Sequence, residues 1–184
     1  MTSEARIEQT ETGRVPADDG WFILNLAEMG WFSCQGIGVF SSFEAPSARS
    51  QRLGIGVHVL YPGDAPGFYH AEDEQEGFLV LSGACIAIVE GEERRMGPWD
   101  YLHCPPGTAH ITVGAGDEPC AIVMVGTRTG GGIRYIPDAA AASHGASVER
   151  ESTSPREVYA DRPPVVPARS PWPLGGGHSE ASSA

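Results

Sequence analysis

Between residues 50 and 128 the chain repeats one pattern, a short apolar run of strand period followed by a turn. Arg52 to Leu60 reads RLGIGVHVL, with Leu53, Ile55, Val57 and Val59 on one face and Gly54, Gly56, His58 and Leu60 on the other. A period of two marks a strand. YPGD at 61–64 then supplies a turn. Further strand-like runs at Glu76–Leu81, Ala84–Glu90, Asp100–Cys104, Ala109–Val113 and Cys120–Arg128 are separated by Ser82-Gly83, Gly91-Glu92-Glu93, Gly97-Pro98 and Pro105-Pro106-Gly107. Strands recurring every ~8–12 residues with turn chemistry between them predict an all-β sandwich or barrel. The 24 glycines and 15 prolines argue the same way, because that density interrupts long helices.

The flanks differ from this body. Residues 1–19 read as a polar arm, 20–136 as the barrel, and 137–184 as an extension of short helices followed by an irregular tail. Asp138 before Ala-Ala-Ala-Ala-Ser, and Ser154 before Pro155-Arg-Glu-Val, are helix-start signals. From Asp161 the composition turns to Pro, Ser, Ala and Gly, predicting extended or disordered chain in which PWPL at 171–174 docks on the barrel or on a second subunit. A formal net charge of −12 disfavours nucleic acid and anionic membrane surfaces as partners. No apolar run reaches the ~20 residues of a membrane span, and the polar N-terminus lacks a signal-peptide core. Cys34, Cys85, Cys104 and Cys120 form no C-x-x-C pair, which disfavours a zinc knuckle, and the three in apolar strand-like runs read as buried reduced thiols of a cytoplasmic protein.

The chemistry-bearing residues cluster in two places. The first is Gly63…His70-x-Glu72-x3-Glu76-x6-Gly83. A strand entering at His70, turning through Asp73-Glu74-Gln75 and returning at Glu76 predicts His70 and Glu76 on neighbouring strands, with Asp73 and Glu74 exposed in the turn. Alternation through Phe78 and Val80 sends Glu76 to the interior, where a carboxylate needs a cation or a proton. The second is Gly97…Pro105-Pro106-Gly107-x2-His110, in which a rigid turn delivers an imidazole at the start of a strand. His58 and His103 are further candidates for catalytic or pocket roles; His103 shares a face with Tyr101. His144 and His178 fall outside the barrel and read as solvent residues.

These spacings resemble the two signature motifs of the cupin superfamily, in its small single-domain bacterial form. The first motif usually reads G-x5-H-x-H-x3,4-E-x6-G and the second G-x5-P-x-G-x2-H-x3-N. Gly63, His70, Glu76 and Gly83 match the first; Gly97, Pro105, Gly107 and His110 match the second. The gap before His70 is one residue longer than the pattern and the gap after Gly97 two longer. Glu72 stands where a second histidine is usual, and Gly114 where an asparagine closes the second motif. The resemblance implies a double-stranded β-helix, a jelly-roll barrel, and a homodimer. It also implies metal ligands at His70, Glu72, Glu76 and His110, holding Fe, Mn, Ni or Zn.

Two classes of function follow. One is a metal-dependent small-molecule enzyme of dioxygenase, isomerase or decarboxylase-like chemistry, since two histidines and a carboxylate leave coordination positions open. The other is a non-catalytic module binding a sugar or small carboxylate without metal. A structural or regulatory partner of another enzyme ranks below both.

Overall fold

The computed structural model describes residues 3–44 and 49–172. Its early strands are β1 (Ile7–Gln9), β2 (Arg14–Pro16), β3 (Trp31–Cys34), β4 (Gly38–Ser42) and β5 (Leu53–Leu60). The motif-bearing body contributes β6 (His70–Glu72), β7 (Glu76–Ser82), β8 (Ala84–Val89), β9 (Glu92–Met96), β10 (Tyr101–Cys104), β11 (His110–Ala115) and β12 (Cys120–Thr127). After these come β13 (Ile133–Tyr135), the short helices α1 (Ala139–Ser143) and α2 (Pro155–Val158), and β14 (Val166–Ala168).

Two antiparallel sheets form a jelly-roll double-stranded β-helix. Seven strands run in the order β10-β7-β12-β5-β4-β3-β14, and five in the order β13-β6-β11-β8-β9. β1 and β2 pair separately, so the segment read as a polar arm contains a hairpin.

Strand alternation sorts side chains into three apolar layers. Between the sheets lie Leu60, Phe78, Val80, Cys85, Met96, Cys104, Cys120 and Ile122. The outer face of the five-stranded sheet carries Ile88, Ile111 and Val113, covered by Ala141 and Ala146 at α1. Val57 and Val59 on the outer face of the seven-stranded sheet pack with Met29 and Trp31, and Leu24, Leu26 and Trp172 close over them. Covering both outer faces explains why β11 is apolar on its second face while keeping His110 and Thr112 buried on its first. Each fully buried large side chain contributes roughly 1.5–3 kcal/mol.

The two helix starts are capped as their sequences require. Asp138 Oδ1 accepts from the Ala141 amide at 2.8 Å, and Ser154 Oγ from the Glu157 amide at 3.3 Å. Part of the tail joins the sheet: β14 pairs with β3, and Trp172 packs on the outer layer. His178 lies outside the described residues. All four cysteines are buried and free. No helix among the described residues is long and apolar enough to cross a membrane.

Candidate metal centre

The acidic stretch after His70 is a corner between sheets. β6 pairs with β11 and β13, whereas β7 pairs with β10 and β12. His70 and Glu76 therefore meet across the barrel from facing sheets, and not on neighbouring strands. The reason is at the corner. Glu74, predicted exposed, is only 9% exposed. Its Oε2 accepts the Thr127 hydroxyl at 2.6 Å. Its Oε1 accepts the Thr129 amide at 2.5 Å, the Thr129 hydroxyl at 2.9 Å and the Gly131 amide at 3.0 Å. The Thr127 hydroxyl first, then these amides, hold the carboxyl down to about 2. Asp73 Oδ2 accepts the Gly132 amide at 2.9 Å. The corner is thus tied to the chain leaving β12, which forces the crossing.

Two imidazoles face Glu76 with the same polarity. His70 Nδ1 lies 2.6 Å from the Phe68 carbonyl and His110 Nδ1 lies 3.0 Å from the Thr108 carbonyl. A carbonyl only accepts, so each Nδ1 carries the proton it donates there, and Nε2 is the atom turned toward Glu76. His110 Nε2 is 3.0 Å from Glu76 Oε2, and His70 Nε2 is 3.9 Å from the same oxygen. The ligand atoms of His70, Glu76 and His110 all lie within 4.8 Å of one another. Glu76 Oε2 and His110 Nε2 are sealed from solvent, and no hydrogen bond satisfies either atom. Their short approach is an ion-pair distance lacking hydrogen-bond geometry. Buried polar atoms left this way are costly unless a cation sits among them. Carbonyl-anchored imidazoles are also how proteins orient metal-ligating histidines.

The surroundings pull the two imidazoles apart. Burial lowers His70, and the neighbouring His110 lowers it further. Burial also opposes charge on His110, but Cys104 and the Glu76 carboxylate outweigh it and, with no cation bound, raise this group to about 10, so a metal would displace the proton from its Nε2. Glu72 stands beside the group with Oε1 3.7 Å from His70 Nε2. Burial, then the charge of Glu76, pushes its carboxyl up to about 7.

An open cleft of about 400 Å3 reaches Glu72 and Glu76, and His58, Phe40 and Met124 line it as well. Gly54, Gly56 and Gly126 line it too, and their missing side chains leave it room. His58 stacks on Phe40 at 5.3 Å between ring centroids. Its Nδ1 is sealed without a partner, and burial lowers the imidazole to about 4. His103 is not brought into the group: it is exposed, on the face of edge strand β10 away from buried Cys104. His144, read as a solvent residue, has Nε2 2.9 Å from Glu93 Oε1, tying α1 to β9.

Sequence reasoning missed Tyr135. It pairs with His70 in the β13–β6 register, their rings 5.9 Å apart. Only strand pairing beyond the motifs could have signalled it. The substitution of glycine at 114 has a local cause. A Cβ there would sit 2.2 Å from the Tyr61 carbonyl oxygen, because the 61–64 turn hydrogen-bonds directly across it.

A jelly-roll barrel gathering two imidazoles and a carboxylate inside defines a class of small β-barrel proteins with an interior polar centre. Residues 56–126 match the family model of the Cupin domain, so this segment carries a cupin domain. Glucose-6-phosphate isomerase of Pyrococcus horikoshii is 34% identical over 86 residues, covering 40% of this chain and 46% of that protein. The Pyrococcus abyssi glucose-6-phosphate isomerase is 33% identical over 86 residues with the same coverage. The chain spans about half the length of these curated relatives. The structure of KdgF from Halomonas sp. superposes with a TM-score of 0.50 at 23% identity, covering 61% of this chain and 97% of that one.

Proposed function

We propose that this protein is a metal-dependent isomerase of a small sugar phosphate, with a divalent cation held by His70, Glu76 and His110. One observation carries the reading: three potential ligand atoms converge, two of them buried without a hydrogen bond. Two imidazoles and one carboxylate suit Fe, Mn, Ni or Zn. Such a cation, when bound, polarises a substrate carbonyl or hydroxyl oxygen. The resemblance to two glucose-6-phosphate isomerases over part of their length supports the substrate class.

The chain's own residues divide the remaining work. Glu72 flanks the group and opens on the cleft, so in this reading it takes a proton from one substrate carbon and returns it to the next. His58 meets a substrate hydroxyl deeper in the cleft. The same donor set also suits Fe(II) and O2, and oxygen uptake by the iron-loaded protein separates a dioxygenase from an isomerase. We also propose a cytoplasmic homodimer, in keeping with the four free thiols.

The test is elemental analysis combined with a glucose 6-phosphate to fructose 6-phosphate assay. Wild type is expected to hold about one cation per chain, lost in His110→Ala. Glu72→Gln is expected to keep the cation and lose at least about a hundredfold in turnover. Loss of the cation from Glu72→Gln would make Glu72 a ligand instead. Protein that takes up none of the four metals would sink the reading.

A further inference from the structure

Arg128 follows β12 directly and sits at the rim of the cleft that contains Glu72, Glu76 and His58. Gly126 pairs with Glu76 on one side and Gly54 on the other. With side chains alternating along the strand, Arg128 shares the face of Gly126 and lies two residues further toward the opening, about 7 Å along the chain. This is a spacing on which one small molecule can reach from the His–Glu centre to the arginine.

The guanidinium is held from one end only. Nη1 donates to Glu44 Oε1 at 2.6 Å and to the Ser50 carbonyl at 3.1 Å. Among the described residues, Nε and Nη2 donate to no acceptor. The group lies against Gly54: a Cβ at that position would be 2.7 Å from Nη2, 2.9 Å from Nε and 3.0 Å from Cζ. Any larger residue at 54 would displace it, so the glycine at the start of β5 secures its place. Fastening the connection between β4 and β5 requires Nη1 alone. The Nε–Nη2 edge is the pair of parallel donors that grips two oxygens of an oxyanion. Arg49 lines the adjoining cleft beside Arg128 and Glu44, adding a second cation at this rim.

We infer that Arg128 receives the phosphate group of the substrate through its Nε–Nη2 edge, with Glu44, Ser50 and Gly54 setting the orientation. The inference rests on the sugar-phosphate reading of the same cleft.

Calorimetric titration tests it on the full chain after removal of divalent cations with EDTA, so that phosphate cannot bind through a metal. Inorganic phosphate is expected to bind wild type. Arg128→Gln should weaken binding about tenfold or more, and Arg128→Lys, which keeps the charge without the fork, should fall between. Gly54→Val should weaken it with Arg128 still present, and circular dichroism checks the fold of each variant. Wild type that binds no phosphate, phosphate binding unchanged in Arg128→Gln, or tighter binding of acetate than of phosphate would each overturn the inference. Phosphate binding that depends on Arg128 in a protein without isomerase turnover would uphold it and remove the isomerase reading alone.

Discussion

His58 shows how one side chain records its surroundings. Its spacing in RLGIGVHVL placed it opposite the apolar face of its strand, and the fold turns that face into the barrel against Phe40. Burial lowers the imidazole from its ordinary 6.5 to about 4, so the unfolded chain binds this proton at higher pH than the folded one. Its contribution is fully present above about pH 6.5, falls between about 6.5 and 4, and levels off below. The loss is expected to approach roughly 3 kcal/mol. Urea titrations across this window should show that wild type loses this increment relative to His58→Gln; parallel curves for the two proteins would contradict it. Glu74 gives the opposite lesson. Nothing local in EDEQE distinguishes it from its exposed neighbours, because its four hydrogen bonds come from Thr127, Thr129 and Gly131, more than fifty residues away.

At the level of elements, alternation and turn chemistry were enough to locate most of the barrel strands. The period of two along β5, β7 and β11 is a local property, and Gly-Pro turns mark its ends. Helix caps at Asp138 and Ser154 were equally readable, because each needs only a side chain within three residues of its amide. Sheet membership was not readable. His70 and Glu76 looked like partners on adjacent strands, yet the corner between them changes sheets. The outer layer around Trp31 was hidden for the same reason. Its indole is fully buried and donates from Nε1 to the Leu26 carbonyl at 3.1 Å. Trp31→Ala should cost about 3–5 kcal/mol, measured as a lower urea midpoint; a change below 1 kcal/mol would mean the layer collapses onto the gap.

At the scale of the whole molecule, the outward row of β5 is only partly covered. Val57 and Val59 lie under Met29 and Trp31, but Leu53 and Ile55 continue the same row exposed to solvent. An uncovered apolar row beside a covered one favours association. Light scattering is expected to give a dimer that Ile55→Glu converts to monomer, and a wild type that stays monomeric at all concentrations would refute the proposed homodimer. The sequence by itself determined the all-β class and the cupin resemblance, and it singled out His70, Glu76 and His110, which the structure gathers into one candidate group. Those rest on period, turn chemistry and spacing, all short-range along the chain. Only the tertiary structure decided that these residues converge from facing sheets and that Glu74 is a buried pin. It also decided that His103 faces solvent, and that Tyr135 and Arg128 border the site. Each of these depends on which sheet a strand joins and on what packs across it, and side-chain hydrogen bonds and layer packing set both between residues far apart in the chain.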